Sequence, residues 1–222
     1  MPSNRIKNWD KDENPPVNIK FPSILQQQPS LKEKISKTIY RLRTQQNKLE
    51  NAVMRMQRHD RELFDKCVSS QMTKDSARAA MYANECAEVR KMAAITLRSQ
   101  LALEQVSLRL ETIREFGEFA ALMGPVTEVV RSVKTQISGI MPEMSYELDD
   151  IGETLNGMVV EIGEATGHDI NIEAPSSEAS KILGEAETVA EQRVKEKFPD
   201  FTSMEVNSTD ASDYRTREQS QT

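Results

Sequence analysis

Aromatic side chains are scarce in this 222-residue chain, at 5% of residues, and hydrophobic residues of all kinds make up only 37%. Large rings supply much of the burial in a compact core, so this composition argues against a rounded, ring-packed globule. Cysteine is limited to Cys67 and Cys86, with no paired spacing. That excludes a disulfide framework and suggests a reduced, intracellular setting. The two histidines, His59 and His168, lie in different segments and in no ligand pattern, so no metal centre is expected. No run approaches the roughly 20 apolar residues of a membrane span. The opening MPSNRIKNWDKDENPP holds no apolar stretch of the signal-peptide kind. Any membrane contact is therefore expected to be peripheral. A Gly-rich phosphate loop, a Gly-x-Ser-x-Gly elbow and a zincin helix are all missing, and nothing selects two carboxylates as an acid/base pair. The expectation is a non-catalytic protein with no cofactor.

What is present is helical periodicity. Charged residues make up 29% of the chain, which suits long helices with one apolar stripe each. Residues 1–29 carry five prolines among polar residues and read as an irregular arm. Its apolar residues, Trp9 among them, either pack on the helices or meet a bilayer interface. Ser30-Leu31-Lys32-Glu33 has the form of a capping box. From there a three-four alternation runs Ile35, Ile39, Leu42, Gln46, Leu49, Val53, Met56, Asp60, Leu63, Cys67. This is a coiled-coil-type seam, interrupted by polar residues at Gln46 and Asp60. The polar stretch Ser69–Asp75 reads as a break, with Thr73 or Asp75 capping a second helix that runs to Phe116. Ala77, Ala80, Ala83, Ala87 and Ala94 are expected to let the two helices approach closely. Two long stripes joined by a short connection predict an antiparallel hairpin over about 31–123. Pro125 suits the first position of a third helix, about 125–138; Gly139 and Pro142 break the chain again, and a fourth, acidic helix follows over about 142–166. A linker over 168–176, an amphipathic helix over 177–198 and a disordered tail over 199–222 complete the expectation: an all-α chain with a helical core over 30–167.

Charge divides along the chain. Residues 1–109 hold 20 Lys and Arg against 12 Asp and Glu, whereas residues 110–222 hold 9 against 23. Beside the seam, Lys34, Arg41, Lys48 and Arg55 recur every seven residues, and Lys37 and Arg58 extend them. This cationic stripe is either a solvated face or a contact for anionic head groups, where each nearby basic residue contributes ~1 kcal/mol. Nucleic acid is not favoured, because no groove-reading motif or aromatic stacking set accompanies the charge. Residues 143–178 hold ten Asp and Glu and no Lys or Arg, together with an apolar helical stripe. Such a segment suits folding back on the basic stripe. The helix over 177–197 presents Ile182, Leu183, Ala186, Val189, Ala190 and Val194, a face suited either to a partner's helical groove or to the chain's own hairpin.

The run LKEKISKTIYRLRTQQNKL, Leu31 to Leu49, and the run MYANECAEVRKMAAITLRSQLALEQVSLRLETIREFG, Met81 to Gly117, resemble archaeal ESCRT-III-like cell-division proteins of the CdvB group. The resemblance spans about residues 30–167 and implies an ESCRT-III-like hairpin core. It also implies polymerisation, with other ESCRT-III-like paralogues, into filaments that constrict membrane at the division site. The place implied is the cytoplasmic side, peripheral on the inner face of the cell membrane. A AAA ATPase of the CdvC type is the implied partner of the 177–197 helix, although the usual tail motifs are not evident there. The chain looks like a shorter paralogue. Periodicity alone equally fits a soluble coiled-coil adaptor or a phage-shock-type membrane stress protein.

Overall fold

A computed structural model describes residues 30–117, 119–166 and 177–198. The arm over 1–29, the linker over 168–176 and the tail over 199–222 lie outside them. The described residues form five helices and no strand: α1 (Leu31–Met72), α2 (Ser76–Phe116), α3 (Phe119–Ile137), α4 (Pro142–Thr166) and α5 (Ser177–Lys197). This is an all-α fold in which a long helical hairpin is followed by shorter helices, as in an ESCRT-III-like core.

At 1.5 Å per residue, α1 is about 63 Å long. Its seam residues Ile35, Ile39, Leu42, Leu49, Val53 and Leu63 are buried, and Met56 is half-buried. α2 returns along it in the opposite sense. Arg43 meets Glu111, Gln46 meets Leu103 and Ser107, Asp60 meets Arg90, and Cys67 meets Ala79.

The sequence reads Ser69-Ser70-Gln71 as a break, but α1 continues through it to Met72. Ser69 and Ser70 donate their hydroxyls to the carbonyls of Asp65 and Lys66 at 2.8 and 2.9 Å. Their polarity is thereby spent within the helix's own turn. The reversal comes three residues later. The Asp75 N–H bonds to the Ser70 carbonyl at 2.9 Å and the Lys74 N–H to that of Gln71 at 3.0 Å, with Lys74 at φ 59°. This is a Schellman closure with a lysine where glycine is usual. Asp75 then caps α2, its carboxylate accepting from the Arg78 N–H at 3.1 Å.

Two expectations need correction. Near the tip it is Ala79 and Ala93 that are buried, while Ala77, Ala80, Ala87 and Met81 are exposed and Ala83 and Ala94 half-buried. α2 is covered by α1 on one side and by α3 and α5 on another, so its apolar residues spread round the helix and a single stripe misphases it. The third helix begins at Phe119, and Pro125 lies inside it. An interior proline costs about 3 kcal/mol. Burial of Met123, Val126, Val129 and Val130, each worth roughly 1.5–3 kcal/mol, outweighs that. Before it, α2 ends at Gly117, whose φ of 76° lets its N–H close on the Ile113 carbonyl at 2.9 Å.

The core is uneven along the hairpin. From Ile35 to Val53, α1 shares one continuous cluster with α2, α3, α4 and α5. Towards the tip only a small cluster of Leu63, Cys86 and Val89 remains, flanked by Met56, Phe64, Tyr82 and Met92. The open end of the hairpin is thus many-layered, and the tip half is a two-helix ribbon.

Candidate functional site

Helix α4 positions the acidic segment against α1. Met144, Leu148, Ile151, Leu155, Met158, Val159 and Ile162 are buried, and α3 is the helix against which α4 packs most. At 100° per residue, Glu147, Asp150 and Glu161 share one side of α4. That side meets the cationic stripe. Lys34 Nζ lies 2.6 Å from Glu161, and Arg41 lies 3.6 Å from both Glu147 and Asp150. The Lys34 contact is a charge-assisted hydrogen bond; at 3.6 Å the Arg41 contacts are ion pairs without one. A further pair, Lys134 with Asp149, ties α3 to α4.

The stripe is therefore divided. Lys34 and Arg41 are engaged and half-buried, whereas Lys37, Lys48, Arg55 and Arg58 are exposed and make no ion pair among the described residues. All six are on α1, and Lys34, Arg41, Lys48 and Arg55 share one heptad repeat. Lys48, Arg55 and Arg58 lie beyond the two residues that α4 pairs with, whereas Lys37, between those two along α1, is turned away from α4 into solvent.

Helix α5 lies antiparallel on α2. Arg109 pairs with Glu178 near its start, and Arg98 with Glu187 at 2.9 Å further on. Gln57 donates to the Lys197 carbonyl at 3.0 Å. Ala179, Ile182, Ala186 and Ala190 are buried, Leu183 and Val194 are half-buried, and Val189 is exposed. The face suited to a partner's groove is thus occupied by the chain's own α2 and α3. The fit is incomplete: a cleft of about 250 Å³ remains beside Ile95 and Ala190, with Lys91 and Arg98 on α2 and Glu187 and Glu191 on α5.

Two polar contacts occupy seam positions, one at buried Asp60 and one at half-buried Gln46. Asp60 is 1% exposed and accepts two hydrogen bonds from Arg90, at 2.7 and 3.0 Å. Gln46 donates to the Leu103 carbonyl and the Ser107 hydroxyl at 2.9 and 2.7 Å. Periodicity flags both positions as breaks in an apolar seam, but the partners are visible only once the hairpin register is known. Beside Asp60, burial and then the Asp60 carboxylate push the Cys86 thiol up to about 11. A buried, neutral thiol of this kind is a poor nucleophile.

Among the described residues no three His, Cys, Asp or Glu side chains are grouped to hold a metal ion, and no helix is long and apolar enough to cross a membrane.

The geometry can be set beside known proteins. No family model matches the chain, and no solved structure matches it. Among curated proteins, cell division protein B1 of Sulfolobus acidocaldarius is 49% identical over 169 residues, covering 76% of this chain and 79% of that protein. Cell division protein B of the same organism is 32% identical over 185 residues, covering 83% and 71%. Cell division protein B3, again of that organism, is 29% identical over 118 residues, covering 53% and 68%. With this identity, coverage and helical fold, the chain belongs to the cell division protein B (CdvB) group.

Proposed function

We propose that this chain is a non-enzymatic subunit of an archaeal cell-division assembly, which forms filaments on the inner face of the cell membrane and constricts it. The observation that carries the reading is the divided cationic stripe. Two of its six cations, Lys34 and Arg41, are neutralised by α4 of the same chain, and the other four are presented outward along α1. Exposed basic residues in a row suit an anionic lipid surface. Lys34 and Arg41 join that contact when α4 withdraws, so the acidic helix tunes membrane binding by competing for the same charges. The naming of the relatives as cell division proteins supports the cellular role. Three such relatives in one organism support co-assembly with paralogues.

The C-terminal helix fits a second step. Its face of Ile182, Leu183, Ala186, Ala190 and Val194 is the segment on offer to a AAA ATPase of the CdvC type. Because that face packs on α2 and α3, capture by the ATPase and docking on the hairpin compete.

Electron microscopy of the purified chain with anionic liposomes tests the proposal. Filaments on the liposomes are expected, and more of them for Glu147→Lys/Asp150→Lys/Glu161→Lys, which removes the competing carboxylates. No polymer and no liposome association in either form refutes it.

A further inference from the structure

Large hydrophobic side chains are exposed at several places, and their charged neighbours differ. Leu108 lies one turn from Glu104 and Glu111, and Phe116 follows Glu115. On α4, Tyr146 is surrounded by Glu143, Glu147, Asp149 and Asp150, and Val160 by Glu161 and Glu164. Met72 and Met81 sit at the hairpin tip among charges of both signs. None of these suits an anionic surface.

Tyr40 and Met54 stand apart. They are 73% and 44% exposed on α1. From Lys34 to His59 that helix holds one carboxylate, Glu50. At 100° per residue Glu50 lies about 140–160° round the helix from Lys37, Lys48 and Arg55, about 80° from Tyr40 and Arg58, and about 40° from Met54, so on this stretch cations outnumber the one carboxylate but Met54 stands beside it. Tyr40 has Lys37 one turn before it and no carboxylate within a turn, and Met54 has Glu50 one turn before it and Arg58 one turn after it, with Arg55 next in the chain. The two side chains are about four turns apart, roughly 21 Å, within an exposed cationic face of roughly 31 Å from Lys37 to Arg58.

We propose that Tyr40 and Met54 are apolar anchors that enter the head-group region of an anionic bilayer as the exposed cations of α1 settle on it. The helix then lies flat on the membrane from Lys37 to Arg58. This rests on the lipid-binding reading above and adds to it a depth and an orientation. A tyrosine ring has an apolar body and a polar tip, which suits the interface between water and hydrocarbon. A methionine is flexible enough to fill irregular space between lipids. Charge alone would hold the rod at the level of the phosphates; the anchors would draw it in and fix which side faces down.

Trp9 is the one tryptophan of the chain, which permits a direct test. Trp9→Phe/Tyr40→Trp and Trp9→Phe/Tyr146→Trp each carry a single reporter at an exposed position. Each is mixed with vesicles of phosphatidylglycerol and phosphatidylcholine whose acyl chains are brominated, and binding is followed separately by co-sedimentation. The expected result is blue-shifted, quenched emission at position 40 and unchanged emission at position 146. Tyr40→Ser/Met54→Ser should bind about tenfold more weakly than the native chain. Co-sedimentation without quenching at position 40 overturns the anchors and leaves the electrostatic reading standing. Equal quenching at both positions overturns the orientation. Failure of the native chain to sediment with vesicles at low salt overturns both readings together.

Discussion

Lys48→Gln/Arg55→Gln and Lys34→Gln/Arg41→Gln remove the same number of charges from the same heptad repeat, yet they should behave differently at a membrane. Lys48 and Arg55 are exposed and make no ion pair among the described residues. Each contributes ~1 kcal/mol of attraction to an anionic surface, so losing both should cost ~2 kcal/mol, or roughly 30-fold in affinity. Lys34 and Arg41 already face Glu161, Glu147 and Asp150. Their charge is largely cancelled before lipid arrives, and the second double variant should lose less than about fivefold, the equivalent of one free cation. Co-sedimentation with phosphatidylglycerol vesicles at low ionic strength measures both. Thermal melts should be similar, because surface ion pairs contribute only ~0–1 kcal/mol. Equal losses would refute the idea that α4 withholds Lys34 and Arg41. No loss in either would show that the stripe is not the lipid contact.

Breaking the buried Asp60–Arg90 pair by Arg90→Leu should destabilise the hairpin by about 3–5 kcal/mol, whereas Asp60→Leu/Arg90→Met should restore most of that; chemical denaturation followed by circular dichroism reads both. Lys74→Gly relieves a left-handed backbone at the hairpin turn, and the same assay should show a gain of about 1 kcal/mol. The Cys86 thiol is raised to about 11 from 9.0, so the unfolded chain gives up its proton at lower pH than the folded one. That stabilisation is present below about pH 9 and is lost as pH rises towards 11, on the order of 2 kcal/mol, and Cys86→Ala should flatten this part of the stability–pH curve.

The first helix was legible because one face of it does one job. Ile35, Leu42, Leu49 and Leu63 repeat at seam spacing and pack on a single partner over most of their length. α2 was legible in extent and capping but not in facing, because three helices cover it and the burial of Ala79 and Ala93 follows from the hairpin register rather than from local spacing. Spacing alone puts the start of α3 at Pro125, where a local rule about proline meets the burial of four apolar neighbours and gives way to it. The divided stripe was half visible. Lys34, Arg41, Lys48 and Arg55 are equivalent in sequence, and only the position of α4, a long-range fact, separates the engaged pair from the open one. The partner of Asp60 is thirty residues away and could not be chosen among the arginines of α2 without the register.

Salt would separate the ion pairs within the chain from the proposed lipid contact. An exposed charge is screened over about 8–10 Å at physiological ionic strength, and a half-buried pair is screened much less. The side chains of Lys34 and Arg41 are only 24% and 27% exposed, while the open cations stand in solvent. Raising salt should therefore weaken the membrane contact before it loosens α4, and the net effect should be release from vesicles rather than activation. Were α4 held to the hairpin by charge alone, moderate salt would free Lys34 and Arg41 and binding would pass through a maximum. The apolar contacts of α4 with α3, and of both with the common core, make that outcome unfavourable. A salt titration of vesicle binding should fall monotonically for the native chain. Glu147→Lys/Asp150→Lys/Glu161→Lys should start higher and fall more steeply, because it presents more open charges to screen. A maximum in the native curve would show that ion pairs, not the apolar face, hold α4 in place.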